Sequence, residues 1–366
     1  MTVACPTDGL LRTWAFEAGA RVEVVDLRRE PGLTDIRAFW RVRRLIRRAE
    51  VAAFLSSKAG ALGRAAVVSV CNPPACVFSP HGWSWLVGGR LAGVYRLIEQ
   101  MLGSVGRIVA VSDEEAKLGR AGLRGHVVID VIENGIDTRK FAPEGVRAPR
   151  RPEPLVLVVG RLCHQKGQDR ALEILARMRA SSVRLRFVGD GDQLALRDQA
   201  DALGLGDRVE FIGEADPAPH YRCADVVLVP SRYDGQSLAL LEALSSGCAV
   251  VATDAAGVAA ARGVARIVPV DDLGGAAHQL DELIASAETR ASMKVAARER
   301  ALENYDIRRC RREWREYLTS LAEGGRRSHT TLVLRMKRVR QAQGSGGKAS
   351  VGKKRSRCQS ACGVRE

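Results

Sequence analysis

Short runs of Val, Ile, Leu and Ala alternate along the chain with longer stretches whose apolar positions recur every three to four residues. Near-continuous apolar runs predict strands buried on both faces, and the longer periodic stretches predict the helices that cover them. Strands are expected at 21–27, 51–55, 66–70, 108–111, 127–132, 155–159, 184–188, 208–212, 226–229, 249–252 and 266–268. Helices are expected at 169–179, 193–203 and 237–246, and the pattern becomes wholly helical and charged over 286–321. Such alternation implies an α/β chain with parallel sheets. The Pro- and Arg-rich segment 145–154 separates two alternating blocks, and 366 residues are enough for two domains.

Composition changes this picture only at the C-terminus. The formal charge of +15 invites a nucleic-acid or anionic-membrane reading. However, residues 325–366 hold twelve Lys or Arg against one acid, a net of +11, which leaves +4 for the rest. Hydrophobic periodicity also ends there, so a disordered basic tail is expected. No apolar run approaches the ~18 residues of a membrane span, and the start shows no secretory signal pattern. Nine irregularly spaced cysteines fit reduced thiols in a cytoplasmic protein and lack zinc-type spacing, so no metal is expected.

The chemistry-bearing residues gather where strands end. Gly160 and Arg161 open a turn that closes on Lys166 and Gly167, and two cations across such a turn can face one diphosphate. Gly189 and Gly191 follow the next strand, and Phe211 and Gly213 the one after. The densest segment runs from Tyr233 through Asp234, Gly235, Gln236 and Ser237 to Glu242 and Gly247, a strand–turn–helix whose N-terminus suits a phosphate. Asp234 precedes the helix, and Glu242 lies about one and a half turns in. Each charge also fits a plain role, as a loop-end cation, a turn acid or a helix-face charge. Glu242, set among leucines and alanines, needs a partner if it is buried.

Taken together, Gly160-Arg161-x4-Lys166-Gly167, Val188-Gly189-x-Gly191, Ala224-Asp225-Val226, Pro230-Ser231-Arg232 and Asp234-Gly235-x6-Glu242-Ala243 resemble glycosyltransferase family 4. In the first block, the Pro80-His81-Gly82 loop and Glu133-Asn134-Gly135 resemble the same family. The resemblance implies the GT-B fold, two Rossmann-like domains around a cleft, and retaining transfer from a nucleotide sugar. It implies that Arg161 and Lys166 neutralise the donor diphosphate and that Glu242 accepts hydrogen bonds from the ribose. Asp234 with Gly235, Gln236 and Ser237 would hold sugar and phosphate, and His81 the transferred sugar. Gly160, Gly189 and Phe211 would complete the donor site, with no metal cofactor.

The domain plan implied is 1–142, a linker at 143–154, a donor domain at 155–304, a crossover helix at 305–322 and the tail at 323–366. The family's usual carboxylate pair is two glutamates, and here the first is Asp234, which shortens its reach. The family pattern also has one β-α unit before a strand like Met1–Pro6, so an absent first unit is expected, leaving two interior strand edges unpaired. Residues 35–50 combine six arginines with Ile36, Phe39, Trp40, Val42, Leu45 and Ile46, a basic amphipathic helix suited to an anionic membrane. Peripheral contact with the inner face of the membrane is then expected, alongside the reading of a solvated helix face. The expected function is sugar transfer to a lipid-linked or polysaccharide acceptor. The alternatives are a nucleotide-sugar 2-epimerase, an inactive homologue, or a protein adhering to nucleic acid through its tail; specific nucleic-acid recognition is not expected.

Overall fold

The computed structural model describes residues 1–6, 10–27, 32–88, 91–125, 127–150, 152–255 and 257–325. The N-terminal half runs β1 (Thr2–Cys5), α1 (Leu10–Glu17), β2 (Arg21–Val24), α2 (Thr34–Ile46), β3 (Val51–Leu55) and α3 (Ser57–Val68). It continues with β4 (Ala75–Ser79), α4 (Ala92–Leu102), β5 (Arg107–Ala110), α5 (Asp113–Gly122) and β6 (Ile129–Val131). β3, β4, β5 and β6 form a parallel four-stranded sheet in that order, whereas among the described residues β1 and β2 pair with each other in a separate two-stranded sheet.

The C-terminal half runs β7 (Leu155–Val159), α6 (Gln168–Arg177), β8 (Arg184–Val188), α7 (Leu194–Ala202), β9 (Val209–Phe211) and α8 (Ala218–Cys223). Then come β10 (Val226–Val229), α9 (Leu238–Ser245), β11 (Ala249–Thr253), β12 (Arg266–Val268), α10 (Leu273–Ala285), α11 (Ala287–Asn304) and α12 (Ile307–Gly325). Its six parallel strands lie in the order β12-β11-β10-β7-β8-β9. Sequence order reverses between β7 and β10, and ligands of open α/β sheets bind beyond the strand ends at such a switch point. β7, β10 and β11 are buried on both faces, which explains their near-continuous apolar sequences, and β8, equally buried, carries Arg184 and Arg186 paired with Glu210.

One strand expectation is corrected. Residues 66–68 end α3, and the strand of that region is β4, at Ala75–Ser79. The run Ala66 to Val70 has strand-like composition, but Gly60 and Gly63 let α3 lie directly on the rings of Phe78 and Phe54, where a Cβ would collide. That close packing decides for helix over local propensity. The long helical stretch from 286 is two helices, broken at Tyr305 and Asp306.

The segment expected as linker is bonded to the C-terminal half. Arg222 donates to the carbonyls of Lys140, Ala142 and Val146, and Ala148 N–H donates to Pro219 O at 2.9 Å. The Phe141 ring sits edge-on to Tyr221 within that half's core. The two halves are joined instead where the chain passes 136 and 306. There Ile136 N–H donates to Tyr305 O at 2.7 Å, and Ile307 N–H to Ile136 O at 2.9 Å. α12 then returns to the N-terminal sheet, packing Trp314, Tyr317, Leu318 and Leu321 against Val77, Val109 and Ile132. The expected tail begins in this helix at Glu323, and from residue 326 it lies outside the described residues.

Candidate active site

The turns that follow β7 and β10 meet at the switch point. Lys166, from the first, pairs with Asp234, from the second, at 2.5 Å, both side chains largely sheltered from solvent. Gln168, almost fully buried, fastens the first turn by donating to Arg161 O at 2.9 Å and Gly160 O at 3.3 Å. Arg232 ties the second turn to α6 by clamping Asp169 with both guanidinium nitrogens, which holds that carboxyl below its ordinary range. Gly189 sits at φ 151°, and a Cβ there would collide with Gly160 O, so the turns of β7 and β8 stack only because the position is glycine.

The second turn enters α9 through an N-cap. Ser237 Oγ accepts from Leu240 N–H at 3.4 Å, and one turn earlier Gly235 N–H donates to Asp234 Oδ1 at 3.1 Å. Glu242 lies deeper on the same helix, where it accepts from the Tyr221 hydroxyl at 3.0 Å. Tyr221 is buried, as expected for a group that partners a sheltered carboxylate. Burial still dominates, and the Glu242 carboxyl is pushed up to about 7.

The N-terminal half brings its own turn to this point. β4 ends at Ser79, and the chain bends through His81, at φ 50°, and Gly82. His81 is solvent-reached at this mouth, yet the surrounding protein lowers its imidazole below the ordinary histidine value. A Cβ on Gly235 would stand 2.8 Å from Gly82 N and 2.7 Å from a carboxylate oxygen of Glu115, so the two turns touch through a glycine. Ser112, the N-cap of α5, donates its hydroxyl to Gly235 O at 2.7 Å. Asn134 N–H donates to Gln236 Oε1 at 2.6 Å.

The structure thus gathers His81, Lys166, Asp234, Gly235, Gln236 and Ser237 at one junction, with Gly160 and Gly189 shaping its floor. Arg161 stands exposed at the start of the β7 turn. Phe211 does not join them: its ring packs on Phe187 at 5.1 Å and beneath the Arg197 guanidinium, a core role on the outermost strand. Ser112, Glu115 and Asn134 were not expected as site residues, although Asn134 belongs to a segment that resembles the family. Ser112-x-x-Glu115 is a capping-box pattern, so the helix start was readable, but not its partner 123 residues away. Among the described residues, no cluster of three or more His, Cys, Asp or Glu is placed to hold a metal ion. A cation, turn amides and a helix start around a sheltered crevice suit a phosphorylated ligand.

Comparison with known proteins agrees with this geometry. Residues 2–140 match the family model Glycosyltransferase Family 4, and residues 153–286 match the model Glycosyl transferases group 1. The chain is 35% identical over 192 residues to D-inositol 3-phosphate glycosyltransferase of Mycobacterium sp. (strain KMS), covering 47% of this chain and 43% of that protein. It is 29% identical over 278 residues to the GDP-mannose-dependent alpha-(1-6)-phosphatidylinositol monomannoside mannosyltransferase of Mycolicibacterium smegmatis, covering 69% of this chain and 70% of that one. Matches to several of these relatives thus span less than half of their length, about 43%. Among solved structures, Anabaena HepE in complex with UDP and glucose superposes with a TM-score of 0.74 at 20% identity, covering 87% of this chain and 91% of that one. WaaG, a glycosyltransferase involved in lipopolysaccharide biosynthesis, superposes with a TM-score of 0.70 at 16% identity, covering 87% and 100%. With both halves matched by glycosyltransferase models and two Rossmann-like sheets meeting at a cleft, the chain belongs to the family 4-like glycosyltransferases of GT-B fold.

Proposed function

We propose that this protein transfers a sugar, with retention at the anomeric carbon, from a nucleoside diphosphate sugar to a lipid-linked or polysaccharide acceptor of the cell envelope. One observation carries the reading: the His81 turn of one half meets the Lys166–Asp234 pair of the other at the switch point of the donor-side sheet. Lys166 and the exposed Arg161 meet the diphosphate and stabilise the charge that grows on it as the glycosidic bond breaks. Asp234, released from Lys166 when phosphate arrives, turns to the sugar hydroxyls. Glu242 receives the ribose hydroxyls in place of, or beside, Tyr221 OH. His81 hydrogen-bonds the transferred sugar, and its lowered imidazole stays neutral at pH 7, able to accept or donate without adding charge. The two cations supply at the phosphates the charge that a divalent ion supplies elsewhere, so turnover is expected to survive EDTA.

A lipid-linked acceptor is supported by a relative named for phosphatidylinositol monomannoside and one named for lipopolysaccharide core biosynthesis, whereas the relatives named for D-inositol 3-phosphate point to a small soluble acceptor. α2 supports a membrane-facing acceptor at the cytoplasmic leaflet. Ile36 and Trp40, each 58% exposed, share one side of that helix with the exposed Arg37, Arg41 and Arg44, and the exposed Arg47 and Arg48 follow its end. No described helix is long and apolar enough to cross a membrane. The test is a thermal-shift screen of UDP-, GDP- and ADP-sugars with Arg161→Ala and Lys166→Ala as controls. Stabilisation by one donor class, lost in both variants, is the expected result; no stabilisation by any of them refutes the donor reading.

A further inference from the structure

We propose that Glu115 is a positioning residue: its buried carboxylate fixes the His81–Gly82 turn against the Gly235 loop and so sets where the His81 imidazole stands over the donor sugar. This rests on the donor reading above and deepens it.

Glu115 is 1% exposed, in the first turn of α5. One carboxylate oxygen accepts the Gly82 N–H, immediately after His81, and the other accepts Val111 N–H at 2.7 Å. Its backbone carbonyl accepts the Trp83 indole N–H at 2.8 Å. Both residues that follow His81 are therefore held by Glu115. His81 itself lies at φ 50°, a conformation that a non-glycine residue keeps only where its surroundings impose it. Across the cleft, a Cβ at Gly235 would stand 2.7 Å from Glu115 Oε1, so the loop carrying Asp234 closes directly on this carboxylate. Ser112 completes the link, its Oγ accepting Glu115 N–H at 3.1 Å while its hydroxyl donates to Gly235 O at 2.7 Å.

A carboxylate is an unfavourable way to fill this space. Burial raises the Glu115 carboxyl, Asp234 nearby adds to that, and only the two amide donors oppose them. Charge here is explained by the need to accept two backbone N–H groups that point from different strand ends. A glutamine has one acceptor oxygen and would turn its NH2 toward one of them.

The test uses the full chain with isotope-labelled histidine, as wild type, Glu115→Gln and Glu115→Asp, the His81 ring signal being assigned with His81→Gln. Affinity for UDP, GDP and ADP is measured by calorimetry, and turnover as nucleoside diphosphate released from the matching nucleotide sugar. In Glu115→Gln the His81 ring cross-peak moves, turnover falls by about 10- to 100-fold, and nucleoside diphosphate affinity stays within about twofold. Glu115→Asp, which keeps the charge, regains part of the turnover and serves if the glutamine variant does not fold. An unmoved His81 signal with turnover within twofold of wild type overturns the proposal. So does a loss of nucleoside diphosphate affinity as large as the loss of turnover. A wild-type chain that binds none of the three nucleotides refutes the donor reading instead, and the His81 signal still decides whether Glu115 holds the turn.

Discussion

Replacing Glu242 by Gln should make the protein more stable at alkaline pH while weakening its grip on a nucleotide. The carboxyl of Glu242 moves from its ordinary 4.5 to about 7 in the folded chain, chiefly through burial, with Tyr221 OH offsetting part of it. A folded-state value above the unfolded one means that the folded protein holds this proton more tightly. Stability from this group is therefore complete below pH 4.5, declines as pH rises toward 7, and is gone above that. At about 1.4 kcal/mol per pH unit, the ionised carboxylate destabilises the fold by about 3 kcal/mol at pH 8. Glutamine keeps the shape and an acceptor for Tyr221 without the charge. The difference in melting temperature between Glu242→Gln and wild type should grow from pH 5 to pH 8, reaching about 5–10 °C if the C-terminal half melts as a unit. Differential scanning fluorimetry across that range reads it directly. The same substitution should weaken the cognate nucleoside diphosphate by about 10- to 100-fold at pH 8, as expected for hydrogen bonds lost to a charged acceptor. A melting difference constant within 1 °C from pH 5 to pH 8 would refute the reasoning.

Two other outcomes are expected, one at the meeting of the two turns and one at α2. Gly235→Ala puts a methyl 2.7 Å from Glu115 Oε1 and 2.8 Å from Gly82 N, so the halves are wedged apart. Turnover should fall at least about 10-fold, as steady-state kinetics would show, and turnover within about twofold of wild type would refute the contact's importance. Charge reversal at Arg37, Arg41 and Arg44 together with Trp40→Ala should abolish flotation with vesicles containing acidic phospholipid. Wild-type binding should weaken as salt rises, and equal flotation of both proteins would refute membrane docking by α2.

Most of the C-terminal half was legible in the chain because its signals are local. The β7 and β10 strands read as unbroken apolar runs, and the glycines of their turns mark where backbone approaches backbone, as Gly189 does against Gly160. Glu242 announced its need for a partner by its apolar neighbours, although only the fold shows that partner to be Tyr221. Phe211 was misleading because a motif position says nothing about which way a ring turns, and here it turns onto Phe187. The strand expected at 66–70 failed because the deciding contacts, Gly60 on Phe78 and Gly63 on Phe54, lie outside any local window. The cross-cleft bonds of Ser112 with Gly235 and of Asn134 with Gln236 have no periodicity at all, joining residues more than a hundred positions apart.

The seam at Ile136 and Asp306 governs how the cleft can breathe. The two passing segments exchange backbone hydrogen bonds in register, so neither slides along the other, and the halves can only swing about that line. Besides the packing of Gly235 on Gly82 and Glu115, two hydrogen bonds resist the swing, the hydroxyl of Ser112 on Gly235 and the amide of Asn134 on Gln236. Two such bonds are worth about 1–3 kcal/mol net, a small hold for so large a pair of bodies. A ligand that touched both turns would add its own contacts to these and so act as the latch that the bare protein has only in part.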